Sequence, residues 1–220
     1  MRPFQDRTEA GRVLADKLVS YAGRSDVLVL GLPRGGVPVA FEVARALDAP
    51  LDVCVVRKLG APGHEELAMG AIASGGAWVL DRETTSALKI SGRVLKEVAE
   101  REIQELRRRE RAYRGDLPRV EVRGLTVILV DDGIATGSTM RAAIRALRRR
   151  EPARIIAAAP MAAPQAVEEL EGEADEVVCC IAPDPFLAVG FWYRDFAQTS
   201  DQEVRALLER ASTRERMATG

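Results

Sequence analysis

The chain has 220 residues, of which 47% are hydrophobic and 30% charged, a balance that supplies a core and excludes a disordered chain. Lysine and arginine number 32 against 33 aspartates and glutamates, for a net charge of -1, which argues against a general nucleic-acid binder because that affinity comes largely from neutralising phosphates. No run approaches the roughly 18 apolar residues that cross a bilayer, and residues 1–7 lack the apolar centre of a signal peptide, so no membrane association and a cytoplasmic location are expected.

Residues 26–32 (DVLVLGL) read as a buried strand that ends in Leu-Pro-Arg-Gly-Gly, and a helix follows with Val39, Val43 and Leu47 on one face. A second strand, 51–56 (LDVCVV), stops at Arg57 and Lys58. The stretch 59–66 contains Gly60, Pro62 and Gly63 with few apolar anchors and reads as a mobile loop carrying the lone histidine, His64. A strand-like pair, 69–73 and 78–80, comes next. Residues 82–114 then form a long, charged helical insert with Val94, Val98, Leu106 and Tyr113 as inward positions. Its charges, including Arg107, Arg108 and Arg109, read as a solvated face, with an anion or partner site as the alternative. The strongest strand is 125–130 (LTVILV), followed by a small-residue loop and a helix over 139–150. Two further strands, 154–159 and 176–181, flank a helix near 165–170, and 212–220 reads as a frayed tail. Cys54, Cys179 and Cys180 all fall in apolar runs and read as reduced core thiols.

Near-continuous apolar strands alternating with helices predict an α/β fold, one domain over 1–220, with about five parallel strands covered on both faces. In such sheets ligands gather beyond the carboxyl ends of the strands, which directs attention to the loops after Leu32, Val56 and Val130.

The loop after Val130 reads Asp131-Asp132-Gly133-Ile134-Ala135-Thr136-Gly137-Ser138-Thr139. Carboxylates at the end of a buried strand are costly unless paired, hydrogen-bonded or bound to a cation. The small residues that follow let backbone N–H groups approach a ligand, and a helix N-terminus favours an anion. Together they suggest a phosphate cradle beside an acidic pair. Arg34, Gly35 and Gly36 offer fixed positive charge and open backbone N–H groups to another anion. Two adjacent cations, Arg57 and Lys58, suit a shared anionic ligand, with solvated surface charges as the alternative.

The run VILVDDGIATGST resembles the phosphoribosyl-pyrophosphate (PRPP) motif of type I phosphoribosyltransferases, in a purine- or adenine-like variant. The resemblance implies that Asp131 and Asp132 contact the ribose hydroxyls and, through water, Mg²⁺. Ala135, Thr136, Gly137, Ser138 and Thr139 would hold the 5′-phosphate, with Gly133 a further PRPP-binding residue. It further implies that Leu-Pro-Arg-Gly-Gly is the pyrophosphate loop, which in the family carries a cis non-proline peptide. Arg57 and Lys58 resemble the pair that precedes the family's catalytic loop. Lys58, Arg34 and Asp132 are the expected catalytic residues. Where several 6-oxopurine enzymes carry an aspartate this chain has Ala135, which counts against their mode of proton transfer. Residues 182–200 resemble the family's C-terminal hood, with Phe191, Trp192 and Asp195, beside Tyr193, as acceptor-pocket candidates and core packing as the other reading.

The resemblance implies a Mg²⁺-dependent transfer of 5-phosphoribosyl from PRPP to a small nitrogenous acceptor, such as a nucleobase, in a purine-salvage-like role. A PRPP- or nucleotide-sensing regulator without turnover and a hydrolase of ribose phosphates remain the other classes. The acceptor and any homo-oligomeric state are left open.

Overall fold

The computed structural model describes residues 2–62, 64–76, 78–88, 90–115 and 117–218. In chain order the elements are α1 (Arg7–Lys17), a 3-10 turn (Val19–Tyr21), β1 (Val27–Gly31), α2 (Gly36–Leu47), β2 (Leu51–Val53), β3 (Val56–Ala61), β4 (His64–Ala73), β5 (Trp78–Leu80) and α3 (Arg82–Ala87). There follow α4 (Gly92–Arg114), β6 (Thr126–Val130), α5 (Ser138–Arg148), β7 (Arg154–Met161), α6 (Pro164–Glu171), β8 (Glu176–Ile181), a second 3-10 turn (Val189–Trp192) and α7 (Asp201–Ala218). Among the described residues, no helix is long and apolar enough to cross a membrane.

The predicted α/β architecture is present. Five strands form one parallel sheet in the order β2-β1-β6-β7-β8. Every residue of β1 and β6 is buried, because alternate side chains point to opposite faces and both faces are covered. Val27, Val29, Ile128 and Val130 meet Leu14 of α1 and Val39 of α2, whereas Leu28, Leu30, Val127 and Leu129 meet Ile144 of α5 and Leu170 of α6. The chain leaves β1 through α2 toward β2 on one side, while β6, β7 and β8 extend the sheet on the other. This reversal between β1 and β6 opens a crevice at their carboxyl ends, the place where such sheets bind ligands.

Three expectations need correction. The segment 51–56 is not one strand: only Leu51–Val53 joins the parallel sheet, and Arg57 and Lys58 lie in β3 of a separate antiparallel sheet, β3-β4-β5. The mobile loop expected over 59–66 is largely the end of that hairpin. Leu59 and Ala61 are buried in the core with Met69 and Ile72, so the stretch has the anchors that its glycines obscured. Gly63 and the side chains at 64–66 lie outside the described residues. The tail expected over 212–220 continues α7 as far as Ala218, because Arg214 donates to the Arg45 carbonyl (2.8 Å) and to Asp48 Oδ1 (3.0 Å) at the end of α2.

The insert is likewise docked rather than wholly solvated. Val98, Glu102, Leu106, Glu110, Tyr113 and Arg114 make one buried face of α4, and two acids on that face require partners. Glu102 receives Arg57. Arg114 grips Asp52 of β2 through Nε (2.7 Å) and Nη2 (2.9 Å), donates to Glu110 through Nη1 (3.0 Å) and reaches the Val53 carbonyl (2.9 Å). Arg119 also donates to Glu110. The side chains of Arg114, Asp52 and Glu110 are each no more than 7% exposed.

Arg114→Ala strands two carboxylates in that interior. The expected loss is about 3–5 kcal/mol of unfolding free energy, measured by urea denaturation; a loss below about 1 kcal/mol would show that the ion network does not hold the insert.

Candidate functional site

Two loops converge at the sheet reversal. Leu32–Gly36 follows β1, and Asp131–Gly137 follows β6. The Leu32 N–H donates to the Val130 carbonyl (2.8 Å), and the Pro33–Arg34 peptide is cis. The loops approach so closely that a Cβ at Gly35 would stand 1.9 Å from Asp132 Oδ2, and one at Gly36 would stand 2.6 Å from the Val130 carbonyl oxygen. Glycine is required here by the neighbouring acidic loop.

The two carboxyls differ in environment. Asp131 accepts the Asp132 N–H on Oδ1 (2.9 Å), and burial, reinforced by the charge of Asp132, holds its carboxyl well above the usual carboxylate range. Asp132 is matched instead by Arg7 from the first turn of α1, whose Nε and Nη2 both lie 2.8 Å from Oδ2. Arg7 Nη1 donates to the Ala197 carbonyl (2.7 Å), and its guanidinium lies over the Phe196 ring, 4.1 Å from the centroid. The Tyr193 hydroxyl donates to the Asp132 carbonyl (2.6 Å), and burial raises its pKa, so it remains a donor.

Beyond the acidic pair the chain turns over small residues into α5. Gly137 takes a left-handed conformation (φ +68°) before the helix starts at Ser138, and Ser138 N–H and Thr136 Oγ1 lie 3.4 Å apart. A hollow of about 180 Å³ is bounded by Asp131, residues 133–140 and Val189. At roughly 30 Å³ per water, it holds a few waters or one phosphate-sized group. Gly133, Ala135, Thr136, Gly137, Ser138 and Thr139 thus surround one space next to Asp131, on the N-terminal side of an 11-residue helix.

The cations divide. Lys58 Nζ donates to Ser138 Oγ (2.8 Å), at the rim of that hollow. Arg34 is half-buried, and its guanidinium lies 3.6 Å from Asp201 Oδ1. Arg57 points away from Lys58. Consecutive residues of a strand face opposite ways, and Arg57 is paired with Glu102 of α4 through Nε (2.9 Å) and Nη2 (2.7 Å). A partner within the chain therefore removes the argument for a shared anion.

Comparison with known proteins follows the same lines. The family model for the phosphoribosyl transferase domain matches residues 5–194. The chain belongs to the phosphoribosyl transferase family. The protein named "Putative phosphoribosyl transferase Rv0571c" of Mycobacterium tuberculosis (strain ATCC 25618 / H37Rv) is 46% identical over 211 residues, covering 96% of this chain and 47% of that protein. Its counterpart in strain CDC 1551 / Oshkosh gives the same figures, so the chain spans about half the length of the curated relatives it matches. The crystal structure of TT1426 from Thermus thermophilus is 45% identical and superposes with a TM-score of 0.84, covering 96% of this chain and 99% of that one.

Within this phosphoribosyl transferase fold, the C-terminal candidates lie apart from the hollow. Phe191 is 67% exposed, and the Asp195 carboxylate accepts the Ala197 N–H (3.0 Å). Trp192 packs on a small cluster of Phe4, Ala10, Met161 and Tyr193, and its buried indole N–H has no partner among the described residues. Tyr193 is buried and bonded to the acidic loop, which makes it a support of that loop and not an open pocket wall. Sequence reasoning missed Arg7 and the loop-facing bond of Tyr193. The only local signal for Arg7 was its place one residue after the Asp6 helix cap.

Gly35→Ala drives a methyl into the Asp132 carboxylate. A destabilisation of about 1–3 kcal/mol is expected, seen as a Tm decrease of about 2–4 °C per kcal/mol; an unchanged Tm would mean that the loops have room to spare.

Proposed function

We propose that this chain binds PRPP and transfers its 5-phosphoribosyl group to a small nitrogenous acceptor, releasing diphosphate, with 1–220 acting as one unit and 182–200 as its hood. The observation that carries the reading is the contiguity of the acidic pair, the hollow before α5 and the Gly35–Gly36 loop at one sheet reversal. A sugar phosphate with a second anionic group demands that sequence of environments. The 5′-phosphate would occupy the hollow, against the backbone of 135–139 and the Lys58 ammonium. The ribose hydroxyls would meet Asp131 and Asp132. The diphosphate would lie against Arg34 and the backbone of Gly35 and Gly36, displacing the long Arg34–Asp201 contact.

In the reaction a nitrogen lone pair of the acceptor forms a bond to C1 as the C1–O bond to diphosphate breaks. The bonding electrons leave on the diphosphate, and the acceptor nitrogen gives its proton to solvent. The protein's part is to hold sugar and acceptor in register and to offset the charge that grows on the leaving group. The donor set fits Mg²⁺ arriving with the diphosphate. The described residues contain no cluster of three or more metal-binding side chains, and this ion takes one or two carboxylates, substrate phosphates and several waters. Asp131 and Asp132 would hold it through water. When bound, Mg²⁺ would neutralise diphosphate charge. Ala135, where an aspartate would assist a 6-oxopurine, favours an acceptor that needs no such group.

Incubation with PRPP, Mg²⁺ and a panel of nucleobases, followed by diphosphate assay, tests the reading. Release that depends on one base supports it; PRPP binding without turnover on any base supports the sensor class instead. The double variant Asp131→Asn with Asp132→Asn should keep the fold and weaken PRPP binding at least about tenfold by calorimetry; an unchanged affinity would remove the pair from the sugar site.

Lys58 is bonded to Ser138 at the edge of the hollow, so its charge should act in the ground state as well as in the transition state. Lys58→Ala should raise the KM for PRPP more than it lowers kcat. A fall in kcat at constant KM would reassign Lys58 to the leaving group.

A further inference from the structure

Arg7 lies outside the acidic motif, yet it is the strongest partner that motif has. Its guanidinium is engaged in three directions: two N–H groups on Asp132 Oδ2, one on the Ala197 carbonyl, and its face on Phe196. The side chains of Arg7 and Asp132 are only 12% and 15% exposed, so this pair is little screened by water. Both donors fall on one oxygen. The Asp131 carboxyl is the other side chain in hydrogen-bonding reach of this carboxylate. Tyr193 meanwhile fixes the same residue by its backbone carbonyl, and the space on the Oδ2 side is closed by Gly35.

We infer that Arg7 is a positioning residue for sugar recognition: it locks the Asp132 carboxylate so that Oδ1 is presented, pre-oriented, to a ribose hydroxyl. The inference rests on the preceding proposal that the acidic pair holds the ribose. Its physical content is preorganisation. A carboxylate free to rotate would lose that freedom on binding, whereas one held by a planar fork has already lost it. Arg7 also matches the charge of Asp132, which leaves an oxygen better suited to a neutral O–H donor than to a second cation. The discrimination between sugars with and without that hydroxyl should therefore depend on Arg7, while affinity for the phosphate should not.

The test is calorimetric titration of ribose 5-phosphate and its 2-deoxy and 3-deoxy analogues, without diphosphate or metal, into the whole chain. The unaltered protein should prefer ribose 5-phosphate to at least one deoxy analogue by about tenfold. In Arg7→Ala that preference should fall to within about twofold, with affinity for the deoxy sugars changed by less than about threefold. Arg7→Lys keeps the charge without the fork, preserves the fold should the alanine variant not fold, and should lose the preference to a similar extent. A parallel loss of affinity for all three sugars with a lowered Tm would make Arg7 merely structural and overturn the inference. Full discrimination retained in either variant would overturn it as well. If the unaltered protein binds the three sugars equally, the ribose assignment itself fails and the inference falls with it. If only the variants fail to show the predicted change, the ribose assignment stands alone.

Discussion

Two adjacent carboxyls at the end of a buried strand are the constraint around which this molecule is arranged. Burial and the neighbouring charge oppose the ionisation of Asp131, and a fold that keeps two acids here must supply partners from elsewhere. The compensation comes from segments far apart in the sequence. Arg7 arrives from α1, and Tyr193 and Ala197 arrive from the segment after β8. Those segments are stitched together by backbone bonds: Phe4 N–H to the Trp192 carbonyl (2.8 Å), Arg194 N–H to the Phe4 carbonyl (2.9 Å) and Asp195 N–H to the Gln5 carbonyl (2.9 Å). The glycines of the facing loop belong to the same solution, since any side chain at Gly35 would occupy the space of the Asp132 carboxylate.

The same rule operates at the other edge of the sheet. Asp52 in β2, Glu102 and Glu110 on the inner face of α4, and Arg57, Arg114 and Arg119 form pairs that are mutually dependent. Buried ion pairs contribute modestly to net stability because desolvation consumes much of the attraction, but a mispaired register leaves a bare charge in the interior. They therefore select one docking position for a helix whose hydrophobic face is narrow. Glu102 holds Arg57 on one face of β3, while Lys58 on the other face reaches Ser138 at the start of α5.

The parallel sheet was legible because both-face burial writes near-continuous apolar runs, and 26–32 and 125–130 have no other economical reading. The cradle was legible because its parts are consecutive: a buried strand, two acids, small residues and a helix start within 13 positions of the quoted motif. What was not legible depends on distance along the chain. Arg7 and Asp132 are 125 residues apart, and Arg57 and Glu102 are 45 apart. A single sequence shows a charge but not its partner, so Arg57 read as a ligand-binding cation and Arg7 read as nothing. The hairpin at 59–66 was missed for another reason. Glycine and proline mark both loops and tight strand connections, and the burial of Leu59 that separates the cases is a tertiary fact.

The segment 189–196 joins these two strands of argument. Its aromatic residues divide by exposure. Tyr193 is 6% exposed and committed to the acidic loop, Phe196 stacks on it at 5.0 Å while carrying Arg7 on its face, and Phe191 stands 67% exposed. Val189 at the start of the turn closes the hollow, and a Cβ on Gly133 would strike it at 2.5 Å. One short stretch of backbone thus supports the acidic pair with its inward side chains and offers its outward ones to solvent. A change at Tyr193 therefore reaches the Asp132 backbone directly, whereas a change at Phe191 alters a side chain that stands in solvent.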